Sequence, residues 1–192
     1  AADMIQRNHH KMIKAGEVSA LTHWIGQLRG EILHRRPYLL LSYAWALIAT
    51  HQLDLARYWL DEARQLLNQQ ETRKGFGKAD LQYFRGSLAV SQSHLAMLSG
   101  DIEQAAKFSK QAIRYLPEEN VYLRSLLALD ESLSFFLSGD TQKAVESLRA
   151  TARIARQANN PLATIIALCQ LADTQFLQGK ISQAKATLLK AQ

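Results

Sequence analysis

The 192-residue sequence predicts an all-α chain built as a stack of helical hairpins. Three observations carry that prediction. Long alanine- and leucine-rich stretches are interrupted by only nine glycines and three prolines, a balance that favours helices. A glycine followed five residues later by alanine returns at Gly100–Ala105, Gly139–Ala144 and Gly179–Ala184. Small residues also recur at fixed distances on both sides of that frame, the mark of an internal repeat.

The repeat extends further in weaker form. His51 stands in the glycine place ahead of Ala56, and a degenerate unit begins at Gly16. The marks at 16, 51, 100, 139 and 179 lie 35, 49, 39 and 40 residues apart. A period near that length holds one helical hairpin. Gly100 and Gly139 suit the left-handed residue that closes a helix, and Asp101 and Asp140 suit the cap of the next. Seven residues before the mark come Ala44, Ser93, Ser132 and Ala172; twelve after it come Ala63, Ala112, Thr151 and Ala191. Side chains this small let paired helices approach to about 8–10 Å.

In chain order, helices at 3–15 and 17–29 flank Gly16, and 37–50 and 52–69 flank His51. Those at 77–98 and 101–116 flank Gly100, the second stopping at Pro117. Helices at 118–138 and 140–158 flank Gly139; Asn159-Asn160-Pro161 ends the latter and caps the next. The last pair, 161–178 and 180–192, flanks Gly179. The longest connection, Gln69 to Lys78, is the mobile loop of this reading.

These spacings resemble the tetratricopeptide repeat, and the Gly100 unit matches it best in small positions, turn and terminal proline. The resemblance implies a right-handed α-α superhelix of about five helix-turn-helix hairpins forming a single domain over 1–192. Its approximate repeats are 3–36, 37–76, 77–117, 118–160 and 161–192.

The wording of the repeats resembles a narrower family. Arg36-Pro37-Tyr38-Leu39-Leu40-Leu41, Ala44-Trp45-Ala46-Leu47, Leu53-Asp54, Leu116-Pro117-Glu118-Glu119, Ala158-Asn159-Asn160-Pro161 and Gln178-Gly179-Lys180 look like the helical region of MalT-like regulators. These are large LuxR-type transcriptional activators of bacteria. His51 in a turn glycine's place, and Gly30 near a common proline position, depart from the pattern. The resemblance implies a sensor region joined to an N-terminal nucleotide-binding module and a C-terminal helix-turn-helix. ATP is then expected in the missing N-terminal domain, with no cofactor in this fragment, and DNA contact only through the missing helix-turn-helix. The start at Ala1 and the stop inside a helix fit an excised fragment.

Charge and chemistry point the same way. The net charge of +6 is spread along the chain, with Arg35-Arg36 and Arg73-Lys74 the densest clusters, so DNA binding is not assigned here. The single Cys169 lies in an apolar run, as a buried inert thiol in a reducing cytoplasm would. No apolar run has membrane-span length, and the first residues given lack a signal-peptide pattern. Gly75-Phe76-Gly77-Lys78 lacks the earlier glycine and following hydroxyl of a phosphate loop. The six histidines make no i, i+4 ligand pair, and Asp130-Glu131 are adjacent on a helix, hence point apart. The chain is therefore expected not to be an enzyme.

In tetratricopeptide stacks the first helix of each hairpin lines a concave groove. Six residues before each mark, that resemblance places Trp45, His94, Leu133 and Asp173; three before it stand Ile48, Met97, Phe136 and Phe176. Tyr38 shares the Trp45 face, seven residues earlier. Tyr38, Trp45, His94 and Asp173 are the expected ligand contacts, while Phe136 and Phe176 are expected to pack between repeats. Neither Lys nor Asn occupies these groove positions, which disfavours a clamp for acidic C-terminal peptides. The expected occupant is a small-molecule inducer or a regulatory protein or peptide, whose binding shifts the regulator between resting and active forms. The alternative is a stand-alone protein–protein adaptor.

Overall fold

The computed structural model describes residues 2–73 and 77–191. Among them eleven helices follow one another: α1 (Ala2–Lys14), α2 (Val18–Gly26), α3 (Gly30–His34), α4 (Pro37–Ala49), α5 (Leu53–Arg73), α6 (Lys78–Leu98), α7 (Ile102–Tyr115), α8 (Val121–Leu137), α9 (Thr141–Gln157), α10 (Pro161–Leu177) and α11 (Ile181–Leu188). No strand occurs among the described residues. No helix there is long and apolar enough to cross a membrane. The chain packs as two compact units, Ala1–Pro117 and Glu118–Gln192, divided at an expected repeat boundary. Both are tetratricopeptide-like stacks of hairpins.

Every repeat mark is a left-handed residue. Gly16, His51, Gly100, Gly139 and Gly179 all have positive φ, from 58° at His51 to 80° at Gly139. Each closes its helix with the same pair of hydrogen bonds: at Gly100, its own N–H reaches the Met97 carbonyl at 3.0 Å and the Asp101 N–H reaches that of Ala96 at 2.9 Å. His51 and Gln52 do this to Ile48 and Leu47, so the histidine reproduces the glycine turn. Asn159, with φ 51°, makes the same closure at the end of α9. The carboxylates of Asp101 and Asp140 then accept from the N–H groups of Gln104 and Lys143 at 3.0 and 3.1 Å.

The small-residue seam is buried as the spacing requires. Ala44, Ser93, Ser132 and Ala172 are all enclosed, as are Ala56, Ala105, Ala144 and Ala184. Where alanine gives way to serine and threonine, hydroxyls bond across the seam. Ser132 Oγ lies 2.9 Å from Thr151 Oγ1, and Ser93 Oγ donates to the Ala105 carbonyl at 3.2 Å.

In the first unit α4 is central, packed by α1, α2, α3, α5 and α6. All ten residues from Leu39 to Ile48 are buried, so this helix is enclosed on every side. Gly86 of α6 faces Leu116: a methyl added there would sit 2.6 Å from Leu116 Cδ2 and 2.8 Å from Cγ. In the second unit Leu129, Val145, Leu148, Leu168 and Leu171 form the core between α8, α9 and α10. Asn160 locks its two hairpins together. It is 1% exposed, accepts from the Ala163 N–H at 3.2 Å and donates to Ser125 Oγ at 3.1 Å.

Four expectations are corrected. The helix expected over 17–29 stops at Gly26, and a separate short helix, α3, occupies what was read as a connection. Glycine at 26 lets α2 approach α4, since a methyl would stand 3.1 Å from the Tyr43 hydroxyl. α5 runs to Arg73, four residues past the expected end, because no breaker precedes Gly75. The Gly75-Phe76 part of the rejected phosphate motif lies outside the described residues. α11 ends at Leu188 rather than reaching 192. Cys169 is partly exposed on α10 rather than buried.

α3 is held by chemistry rather than by length. The Nδ1–H of His34 donates to the Gly30 carbonyl at 2.7 Å and its Nε2–H to the Glu62 carboxylate of α5 at 2.5 Å. Both ring nitrogens face acceptors, which only the protonated imidazole satisfies. The hydrogen bond to Glu62 is the larger reason that its pKa is raised above 6.5, the Gly30 bond the next. The His34 ring also stands 6.2 Å from Trp59, itself packed on Tyr43 and Tyr58.

Candidate binding surfaces

Tyr38, Trp45 and His94 belong to the first unit and Asp173 to the second. Trp45 is 8% exposed, inside the enclosed α4. Its indole is core and offers almost no surface to a ligand. The seven-residue spacing from Tyr38 marks a shared face, but α4 has no free face to share, because neighbours surround it. Tyr38 is half-buried at the start of α4, with its hydroxyl donating to the Asp80 carbonyl at 3.1 Å. Its ring packs against Tyr83 and Phe84 of α6, with centroids 6.0 and 5.7 Å away. Burial, then the nearby charge of Asp80, raises the phenol pKa.

His94 is half-buried near the other end of α6. Ten residues separate it from Phe84, about 15 Å along the helix, so Tyr38 and His94 are not brought together. Asp173 is exposed on α10. The companion positions split in the same way. Ile48 and Met97 are buried core, Phe136 packs against the second unit's core, and Phe176 is 62% exposed. The last differs from the expected packing between repeats: α10 is covered by α8, α9 and α11, and Phe176 projects clear of all three. Asp130 is buried and Glu131 exposed, as adjacent positions on a helix dictate.

A cavity of about 630 Å³ opens beside Tyr38, lined also by Gln6, Ile32, Arg35, Arg36 and Pro37. Arg36 spans its wall, donating to Gln6 and to the Asp3 carboxylate, each at 2.5 Å. That contact draws the Asp3 pKa down. The basic pair Arg35-Arg36 shares this cavity with Tyr38. Its remaining wall, Gln6 of α1 and Ile32 of α3, comes from helices that flank the start of α4, which no local spacing encodes. Among the described residues no three or more His, Cys, Asp or Glu are grouped so that they could hold a metal ion.

Comparison with known proteins gives one result. The family model described as the MalT-like TPR region matches residues 86–192. That span runs from inside α6 through α11; the closures at Gly16 and His51 lie before it, with the same geometry. No curated protein and no solved structure matches the chain.

Proposed function

The chain belongs to the MalT-like TPR region family, and on that premise we propose that it is the non-catalytic sensor arm of an ATP-dependent LuxR-type transcriptional activator. A region of this kind is a helical sensor or interaction domain, and tetratricopeptide repeats in general mediate protein interactions. In the proposed role an inducer, or a regulatory protein or peptide, binds the helical stack better in one state of the regulator than in the other and shifts the balance between them. ATP binding belongs to an N-terminal module of that regulator and DNA contact to a C-terminal helix-turn-helix, in the cytoplasm of a bacterium. The family match carries this reading.

Of the residues first singled out, His94 and Asp173 keep surface for a ligand, and Tyr38 borders a cavity. The test is calorimetry of the chain against sugars, small metabolites and candidate peptides. At least one metabolite or regulatory peptide is expected to bind, with affinity lost in His94→Ala if it seats on the first unit and in Asp173→Ala if it seats on the second. Trp45→Ala is unsuited to this purpose, because it would empty a core position. Peptide binding with no response to any metabolite, in a chain whose parent lacks a helix-turn-helix, would replace the sensor with the adaptor.

A further inference from the structure

A cleft of about 530 Å³ lies in the second unit between α9 and α11. Arg149, Arg153 and Arg156 of α9 and Lys190 beyond α11 line it, and no Asp or Glu does among the described residues. The arginines follow an i, i+4, i+7 spacing, which sets them in one stripe about 10 Å long. Elsewhere on the surface cations pair with carboxylates, as Lys107 does with Glu103 and Lys143 with Asp140. Among the described residues none of these four forms an ion pair. Arg156 Nη2 instead donates to the Lys190 carbonyl at 3.2 Å, joining the two sides of the rim.

The base of the cleft is closed by Leu168 and Leu171, which at 5% and 4% exposed present almost no surface of their own. One polar group is built into it: Gln175, 3% exposed, whose Oε1 accepts from Thr187 Oγ1 at 2.8 Å and is thereby fixed in orientation. The cleft has the volume of a small-molecule site, with convergent polar groups. Guanidinium groups offer paired parallel N–H donors that match phosphate oxygens. Four cations without a counter-charge call for a ligand of several negative charges; a monocarboxylate would leave most of them unneutralised.

We propose that this cleft binds a small di- or triphosphate through its phosphate groups, held by the arginine stripe and Lys190. Asp173 is not part of this site, because it lies about 200° around α10 from Leu171. The site stands whether or not the sensor reading does.

The test is isothermal calorimetry of the 192-residue chain with ADP, pyrophosphate and citrate at one fixed salt concentration. ADP and pyrophosphate are expected to bind through their phosphates with affinities within several-fold of each other, and citrate at least tenfold more weakly than pyrophosphate. Arg149→Gln with Arg153→Gln is expected to weaken ADP at least tenfold, while Asp173→Ala leaves it unchanged. If the double variant fails to show the parent's helical melt, Lys190→Gln alone carries the test, with an expected loss of several-fold. Absence of ADP binding at millimolar concentration, or unchanged affinity in the arginine and lysine variants, would overturn the proposal. Citrate binding as tightly as pyrophosphate would overturn the choice of phosphate.

Discussion

His51 holds φ at 58°, where the parallel turns use glycine. A side chain in this conformation costs about 1–2 kcal/mol, offset in part by the smaller entropy it loses on folding. His51→Gly is therefore expected to stabilise the chain by about 0.5–1 kcal/mol, seen as a higher urea midpoint. A midpoint unchanged or lowered would contradict the strain argument. Asn159→Gly is the control, expected near neutral because asparagine tolerates the left-handed region. Gly86 presents the opposite case. Alanine there gains up to about 1 kcal/mol of helix propensity. It also drives a methyl into Leu116, an overpacking worth about 1–3 kcal/mol, so Gly86→Ala is expected to lower the melting temperature. The sequence exposed the first site and hid the second for one reason. A helix closure is made by residues five apart, whereas Leu116 is thirty residues from Gly86 and leaves no periodic sign.

α3 shows what an element needs when it is too short to be held by an apolar face. Its five residues cannot display a helical period, so the sequence read them as connection. The His34–Glu62 pair supplies what period could not. Because the folded pKa of His34 is raised, its contribution is complete below about pH 6.5 and fades as pH climbs through the folded value. His9 acts in the opposite sense. Burial lowers its pKa, so its contribution is present above about pH 6.5 and is lost as pH falls. The two are separated by comparing melting temperatures of the parent and His34→Gln. The deficit of the variant should be larger near pH 5.5 than near pH 8.5; a deficit independent of pH would remove the charge argument. Asn160, by contrast, was legible as a cap from the Asn-Asn-Pro run, though its bond to Ser125 was not. Asn160→Ala removes both and is expected to cost about 1–3 kcal/mol, measurable by denaturant unfolding.

For the molecule as a whole, periodic marks conveyed the architecture because each hairpin is specified locally, and they conveyed the binding surface poorly. Exposure depends on how many neighbours cover a helix: equivalent positions read as buried Trp45, half-buried His94 and exposed Asp173. The net charge of +6 is another whole-molecule property. Fluorescence anisotropy with duplex DNA should find only weak association that is blind to sequence and falls steeply with salt; tight binding to one sequence would contradict the assignment of DNA contact to another module. The repeated closures also govern where the chain tolerates a change of length. One residue added at Gly139 would turn α9 by about 100° and rotate Ala144 and Thr151 out of the seam. The interval between His51 and Gly100 shows where length can vary: it grows to 49 residues, taken up by the long helices α5 and α6. Insertions and deletions among related chains should therefore gather there and spare the left-handed turns.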